Sequence, residues 1–280
     1  MAKADLILVI DEGTTSTRAI VFDKAFAPVA QAQEEVALNY PDDGWVEQDG
    51  DEIWDKTIAV CRKAIEQAGG ADRIAGIGIT NQRETTLVWD GESGAPIAPA
   101  IVWQDRRTAN VCAVLRDRGL EAQVQSETGL LIDPYFSGTK VSWLLNKVDG
   151  ARADAEAGKL AFGTVDAFLI WRLTGGQVHA TDVTNASRTL LYPLSVEPGT
   201  TWSRSMLDLL DIPPSLLPEV KPSGALFGET DPDLFGRPIP ILSAIGDQQA
   251  ALVGQSCLSP GTAKITYGTG AFLVANTGYD

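Results

Sequence analysis

The sequence predicts an α/β fold rich in loops, and three observations carry that expectation. Short apolar runs bounded by glycine and polar residues recur along the chain, as strands do. Other stretches place apolar residues at helical spacing, most clearly over residues 51–68. Glycine, at 27 residues, and proline, at 15, break the pattern too often for a helical bundle.

The first element is an apolar run at residues 6–10 that ends in Asp11. The segment DEGTTSTR (residues 11–18) follows, and then a second run at 19–22, so the start reads strand, glycine-containing turn, strand. Residues 29–36 can add another strand, and the Pro-, Gly- and acid-bearing stretch 40–50 is loop. In residues 51–68 Ile53, Trp54, Thr57, Ile58, Cys61 and Ile65 make one helical face, which Gly69-Gly70 stops. A strand at 74–79 delivers Asn81-Gln82-Arg83-Glu84, and extended chain at 87–89 precedes the turn-like Asp90-Gly91. A short strand at 101–103 delivers Gln104-Asp105-Arg106-Arg107, with a helix to about residue 118. DPYFSGTK (133–140) leads into a helix near 141–146, and a helix at 163–173 carries Trp171, with Asp166 near its start. TDVTNASR (181–188) is polar, hence exposed or site-facing, and Pro213, Pro214, Pro218 and Pro222 make turns. A strand at 239–245 is followed by Gly246-Asp247-Gln248-Gln249 and a helical segment at 250–253. The last pattern, strand 263–267, turn Gly268-Thr269-Gly270 and strand 271–276, echoes the first, through either a duplicated unit or chance.

Composition narrows the chemistry. Acidic residues number 37 and basic residues 22, a net charge of -15, which makes nucleic acid a poor partner. A small anion needs a local pocket of backbone N–H groups and a few cations. Cys61, Cys112 and Cys257 are odd in number and far apart, which speaks against a disulfide framework or a thiolate metal site. His179 is the sole histidine, so a general base is expected to be a carboxylate. No run reaches the length of a membrane span and the N-terminus lacks the form of a signal peptide, which predicts a reduced, cytoplasmic setting.

Several residues stand where chemistry can occur. The Gly-Thr-Thr turn can surround phosphate oxygens with N–H groups and hydroxyls, with Asp11 toward magnesium and Arg18 as a cation. The same glycine can also serve only the backbone of a hairpin. Arg83-Glu84 can bind vicinal hydroxyls or form an ordinary surface ion pair. Asp247 can accept a proton from a hydroxyl nucleophile or cap the helix after it. Trp103, Tyr135 and Phe272 can wall a polyol pocket or pack in the core. G-x-x-x-x-G-K-[ST] is absent, and so is G-x-G-x-x-G at the first strand turn, so neither a P-loop nor a Rossmann dinucleotide domain is expected.

Taken together, DEGTTSTRAIVFD, YPDDGWVEQD, GIGITNQRETTLVWD, AIVWQDRRT, DPYFSGTK, GTVDAFLIWRLTGG, TDVTNASRTLL, GDQQAALVGQ and YGTGAFLVANTG resemble the glycerol kinases of the FGGY carbohydrate kinase family. NQRET, WQDRR and DPYFSGTK are the specific parts; the first and last segments fit the wider actin-like, sugar-kinase and chaperone ATPase superfamily. The resemblance implies a ribonuclease-H-like (actin-like ATPase) α/β domain, with a mixed five-stranded sheet flanked by helices. It also implies a first domain at residues 1–254 that binds glycerol, and the start of a second at 255–280 that continues beyond this stretch. The stretch alone is then expected to show little activity.

By the same resemblance, glycerol contacts fall on Arg83, Glu84, Trp103, Tyr135, Asp247 and Gln248, with Phe272 on the apolar side. Thr14, Thr15, Ser16, Arg18, Gly268 and Thr269 face the phosphates of ATP. Asp11 and Asp247 stand around Mg2+, and Asp247 matches the catalytic base. Glycerol and ATP are the implied ligands, the complete protein is expected to be a homo-oligomer, and neither nucleic acid nor a membrane is a partner. Glu12 departs from a glutamine often found at its position. Residues 228–237 lack the Gly-Gly-Lys-Gly pattern tied to sugar-bisphosphate inhibition, and His179 lies outside the loop phosphorylated in some relatives, so neither regulation is carried over.

Overall fold

Alternation decides the central strand. In the computed structural model, which describes residues 4–194, 201–267 and 271–278, β1 (Leu6–Glu12) buries Leu6, Leu8 and Ile10 and exposes Ile7. That period of two sets one face of a strand against a core. β2 (Ser16–Phe22) pairs antiparallel with β1, and β3 (Pro28–Glu35) pairs antiparallel with β2. After the short β4 (Glu47–Gln48), the Asp49 side chain caps α1 (Gly50–Gln67) by accepting from the Asp51 N–H. α1 buries Ile53, Thr57, Cys61 and Ala64 along one face. β5 (Ile74–Asn81) then runs parallel to β1.

The middle of the chain builds a helical lobe. β6 (Leu87–Asp90) and β7 (Ala100–Ile101) lead to α2 (Ala109–Asp117), α3 (Glu121–Thr128), α4 (Ser137–Lys147) and α5 (Ala151–Glu156). β8 (Leu160–Gly163) pairs antiparallel with β6, and this ribbon divides two cores. Leu87, Trp89 and Ala161 join the core beneath the sheet, with Ile53 of α1 and Phe168 of α6 (Val165–Leu173). Val88, Leu160 and Phe162 point the other way, into the lobe core with Leu115, Val141 and Leu144. Burial on both faces explains why β6 and β8 read as unbroken apolar runs.

β9 (Ala180–Asp182) and α7 (Val183–Ala186) follow, then α8 (Arg204–Leu210), β10 (Glu219–Lys221) and α9 (Pro232–Phe235). β11 (Ile241–Gly246) completes the main sheet and runs into α10 (Asp247–Gly254), and the hairpin β12 (Ala263–Tyr267) and β13 (Ala271–Ala275) comes last. The main sheet has five strands in the order β11-β5-β1-β2-β3, parallel on the β11 side of β1 and antiparallel on the β3 side. This is the mixed, helix-flanked sheet expected from the sequence.

The differences from expectation have local causes. α3 buries only Val124 and Thr128, so its sequence carries almost no period. The helix expected from residue 163 is strand through Gly163 and helix from Val165, because the LAFG run pairs with β6. Residues 181–188 are less exposed than their polarity suggests. Thr181, Asp182 and Asn185 are buried, with Thr181 donating to Asp166 at 2.7 Å and Asn185 bonded to Asn81 at 3.0 Å.

Candidate active site

The sheet register gathers the site. Glu12, Asn81 and Gly246, at the C-terminal ends of β1, β5 and β11, lie side by side. The chain leaves all three ends on one edge, where open α/β sheets bind ligands. The turn after β1, residues 82–84 after β5 and Asp247 after β11 therefore meet.

They meet around a cavity of about 180 Å³. All seven residues expected to contact glycerol line it: Arg83, Glu84, Trp103, Tyr135, Asp247, Gln248 and Phe272. Thr14, Gln82 and Thr266 complete the wall.

Each polar group is held from behind. Glu84 has φ 62°, a left-handed backbone uncommon outside glycine, and its carboxylate accepts from Arg188 Nε at 2.6 Å. Arg83 Nε lies 3.3 Å from Asp247 Oδ1. Gly246 permits that approach, since a Cβ there would sit 2.6 Å from Arg83 Cδ. Asp247 opens α10 yet makes no capping hydrogen bond, and its buried Oδ1 has no hydrogen-bond partner. No hydrogen bond supports the helix-cap alternative for this carboxylate, whose Oδ1 faces the Arg83 guanidinium instead.

The aromatic side is a chain of edge-on contacts. The Trp103 ring lies 5.7 Å from Tyr135 and 6.0 Å from Phe272 between centroids. Burial first, and then the charge of Glu84, push the Tyr135 phenol up to about 12, so it stays a hydrogen-bond donor.

The turn after β1 is tied to this pocket. Trp103 Nε1 donates to Thr14 Oγ1 at 2.8 Å, and Gln48 Nε2 donates to the Thr14 carbonyl at 2.8 Å. Thr15 is exposed at the tip, Ser16 is buried at the start of β2, and Arg18 pairs with Asp11 at 3.4 Å. Burial raises the Asp11 carboxyl above the ordinary range, Arg18 opposes that, and the charge of Asp247 adds to it. Gly268 and Thr269 lie outside the described residues.

No cluster of three or more His, Cys, Asp and Glu side chains exists among the described residues. Asp11 and Asp247, near enough for the charge of Asp247 to raise the Asp11 carboxyl, still suit magnesium, which takes one or two carboxylates and fills its shell with water and phosphate oxygens. Asp247, partly exposed on the cavity wall and without a hydrogen bond of its own at Oδ1, fits that donor set.

Four supports, Arg188, Gln82, Gln48 and Lys264, carry nothing in the sequence that marks them as such. Gln82 donates to Gln48 at 2.8 Å, and Lys264 donates to the Gln248 side chain and, at 2.6 Å, to Thr266. A lysine inside a short strand gives no pattern that marks it as such a support.

The N-terminal domain of the FGGY family of carbohydrate kinases matches residues 6–254. The chain belongs to that family. Its sheet is that of the ribonuclease-H-like, actin-like ATPase fold. Glycerol kinase of Ectopseudomonas mendocina is 59% identical over 273 residues, 97% of this chain and 54% of that protein. Glycerol kinase of Rhodospirillum centenum is 58% identical over 280 residues, 99% of this chain and 55% of that protein. The crystal structure of Plasmodium falciparum glycerol kinase with ADP superposes with a TM-score of 0.93 at 34% identity, covering 99% of this chain and 55% of that one. Xylulose kinase from Rhodospirillum rubrum, at 24% identity and a TM-score of 0.86 over 96% of this chain and 54% of that one, shares the fold. This FGGY-family chain spans about half the length of the curated relatives it matches.

Proposed function

We propose that the protein transfers the γ-phosphoryl group of ATP to a terminal hydroxyl of glycerol, giving glycerol 3-phosphate and ADP. The observation that carries this is the small cavity in which Asp247 faces Arg83, Glu84 and an aromatic wall. High identity to glycerol kinases over nearly the whole chain supports the choice of polyol. Residues 1–254 are read as the first, glycerol-binding domain and 255–280 as the opening of a second. Length relative to the matched proteins supports that division.

The roles follow from the chemistry of each group. Glu84 accepts from two adjacent hydroxyls while Arg83 and the Tyr135 phenol donate. Gln248 adds an amide, and Trp103 and Phe272 cover the CH₂ edge. Asp247 takes the proton of the attacking hydroxyl while nucleophile and leaving oxygen lie in line. Thr14, Thr15, Ser16 and Arg18, with Gly268 and Thr269, face the phosphates. Asp11 and Asp247 would hold magnesium, which neutralises charge on the phosphates when bound.

The setting is read as cytoplasmic. Among the described residues no helix is long and apolar enough to cross a membrane, and the three cysteines are free.

A coupled ADP assay on the complete gene product, with glycerol, xylulose, ribulose and gluconate as acceptors, tests this reading. Glycerol is expected to have the highest kcat/KM by a wide margin. A pentulose or gluconate that equals it would overturn the assignment.

A further inference from the structure

Three donors converge on one backbone carbonyl behind the cavity. The Glu84 carbonyl accepts from Thr86 Oγ1 at 3.0 Å, Ser137 Oγ at 3.1 Å and Lys140 Nζ at 3.3 Å. Thr86, Ser137 and Lys140 are all completely buried. The residue so held has a left-handed backbone, φ 62°. A non-glycine residue in that region is retained only where its surroundings fix it.

Lys140 does something the two hydroxyls do not. It also donates to the Tyr135 carbonyl at 2.9 Å. Its Nζ thus joins two walls of the cavity, the Glu84 turn after β5 and the Tyr135 turn before α4. Its position in the first turn of α4 explains the reach, because helical side chains lean toward the N-terminus and Tyr135 lies just upstream.

A lysine is an expensive choice for a completely buried position, where methionine would fill similar space without desolvating an amine. Burial pushes Lys140 down to about 7, against the charges of Glu84 and Asp105, which pull it back. Arg107 and Asp133 are the other charges that act on it. Charged or neutral, the group keeps at least two N–H donors, enough for its two carbonyl acceptors.

We propose that Lys140 is a positioning residue for the polyol: by bridging the Glu84 and Tyr135 carbonyls it fixes the spacing of the two walls and so sets which hydroxyl pattern the cavity accepts. The proposal rests on the reading of this cavity as the glycerol site. Lys140 touches no substrate itself and acts through Glu84 and Tyr135.

The test compares wild type with Lys140→Met in the complete protein, using glycerol, propane-1,2-diol and ATP. Wild-type turnover of glycerol in the same assay checks the underlying reading separately. If Lys140 positions the walls, Lys140→Met raises the glycerol KM about tenfold, as for loss of a buried hydrogen bond near the reacting group. The nucleotide KM stays within about twofold, since the bridge does not reach the phosphate turn. The preference for glycerol over the diol, which lacks one hydroxyl, shrinks by a similar factor. An unchanged glycerol KM and preference would overturn the proposal. So would a lower melting temperature with both KM values moving together, because that is a structural role only. If Lys140→Met does not fold, Lys140→Gln, shorter and still a donor, is judged by the same outcomes.

Discussion

The two sides of the cleft are built differently. The proposed polyol side is braced: Glu84 by Arg188, Trp103 by Thr14 and Gln248 by Lys264, with Arg83 and Glu84 themselves buried. The proposed phosphate side shows fewer such braces: Thr15 is exposed at its turn and the Arg18 side chain, paired with Asp11, is 43% exposed. Recognition of a small neutral polyol relies on hydrogen bonds whose geometry must be fixed beforehand. Phosphates can be held by charge and backbone N–H groups on a looser frame.

The largest expected effect sits where the two sides meet. Asp247→Asn keeps the shape of the side chain and removes its basicity. Its kcat is expected to fall by roughly 10²–10⁴, the usual contribution of a positioned general base. Melting should change little, because the amide oxygen of Asn can still face Arg83 and only a part-exposed charge is lost. Steady-state kinetics and a melting curve check both halves, and a variant retaining most of its turnover would move the base elsewhere.

On the braced side, Glu84→Ala removes the acceptor for two hydroxyls and strands Arg188. The glycerol KM is expected to rise by about ten- to a hundredfold, the cost of unpaired buried polar groups. Nucleotide KM should hold. Equal damage to both would mean that the two sides are not separable.

Glu12 sharpens the comparison through pH. It is completely buried beneath the phosphate turn, and burial pushes its carboxyl up to about 8, against hydrogen bonds from Thr17 and Thr57 and with the Asp11 charge adding to the rise. Its ordinary value is 4.5, so between these values the folded chain holds a proton that the unfolded chain has released. The resulting stability is full below the lower value and is lost as pH rises through about 8. Glu12→Gln cannot ionise and should flatten that dependence. Melting temperatures of both proteins, measured across this range, should converge or cross as pH rises; parallel curves would show that Glu12 does not titrate there.

The smallest effect belongs to the proposed phosphate side. Arg18→Ala removes a half-exposed partner of Asp11, worth on the order of 1 kcal/mol or less. Stability should hardly move and the nucleotide KM should rise a fewfold, while the glycerol KM stays put. A large rise in the glycerol KM would contradict the division.

How much of this was legible in sequence follows the same line. Apolar runs bounded by turn residues marked β1, β2 and β5, and helical spacing marked α1, whose one face is buried. Periodicity failed for β8, which is buried on both faces, and for α3, which buries almost none. The side chains lining the cavity stood at ends of elements in recognisable motifs, and the fold brought them together. The bracing residues Arg188, Gln82, Gln48 and Lys264 were not legible as supports. Their role depends on approaches between segments far apart in sequence, as for Glu84 and Arg188, 104 residues apart.

The claim that the polyol side is prebuilt is tested most directly by titrating glycerol into the complete protein without nucleotide, by calorimetry. The account predicts saturable binding at one site per chain, lost in Glu84→Ala and kept in Arg18→Ala. Glycerol that binds only once nucleotide is present, or that binds Glu84→Ala as well as wild type, would contradict it.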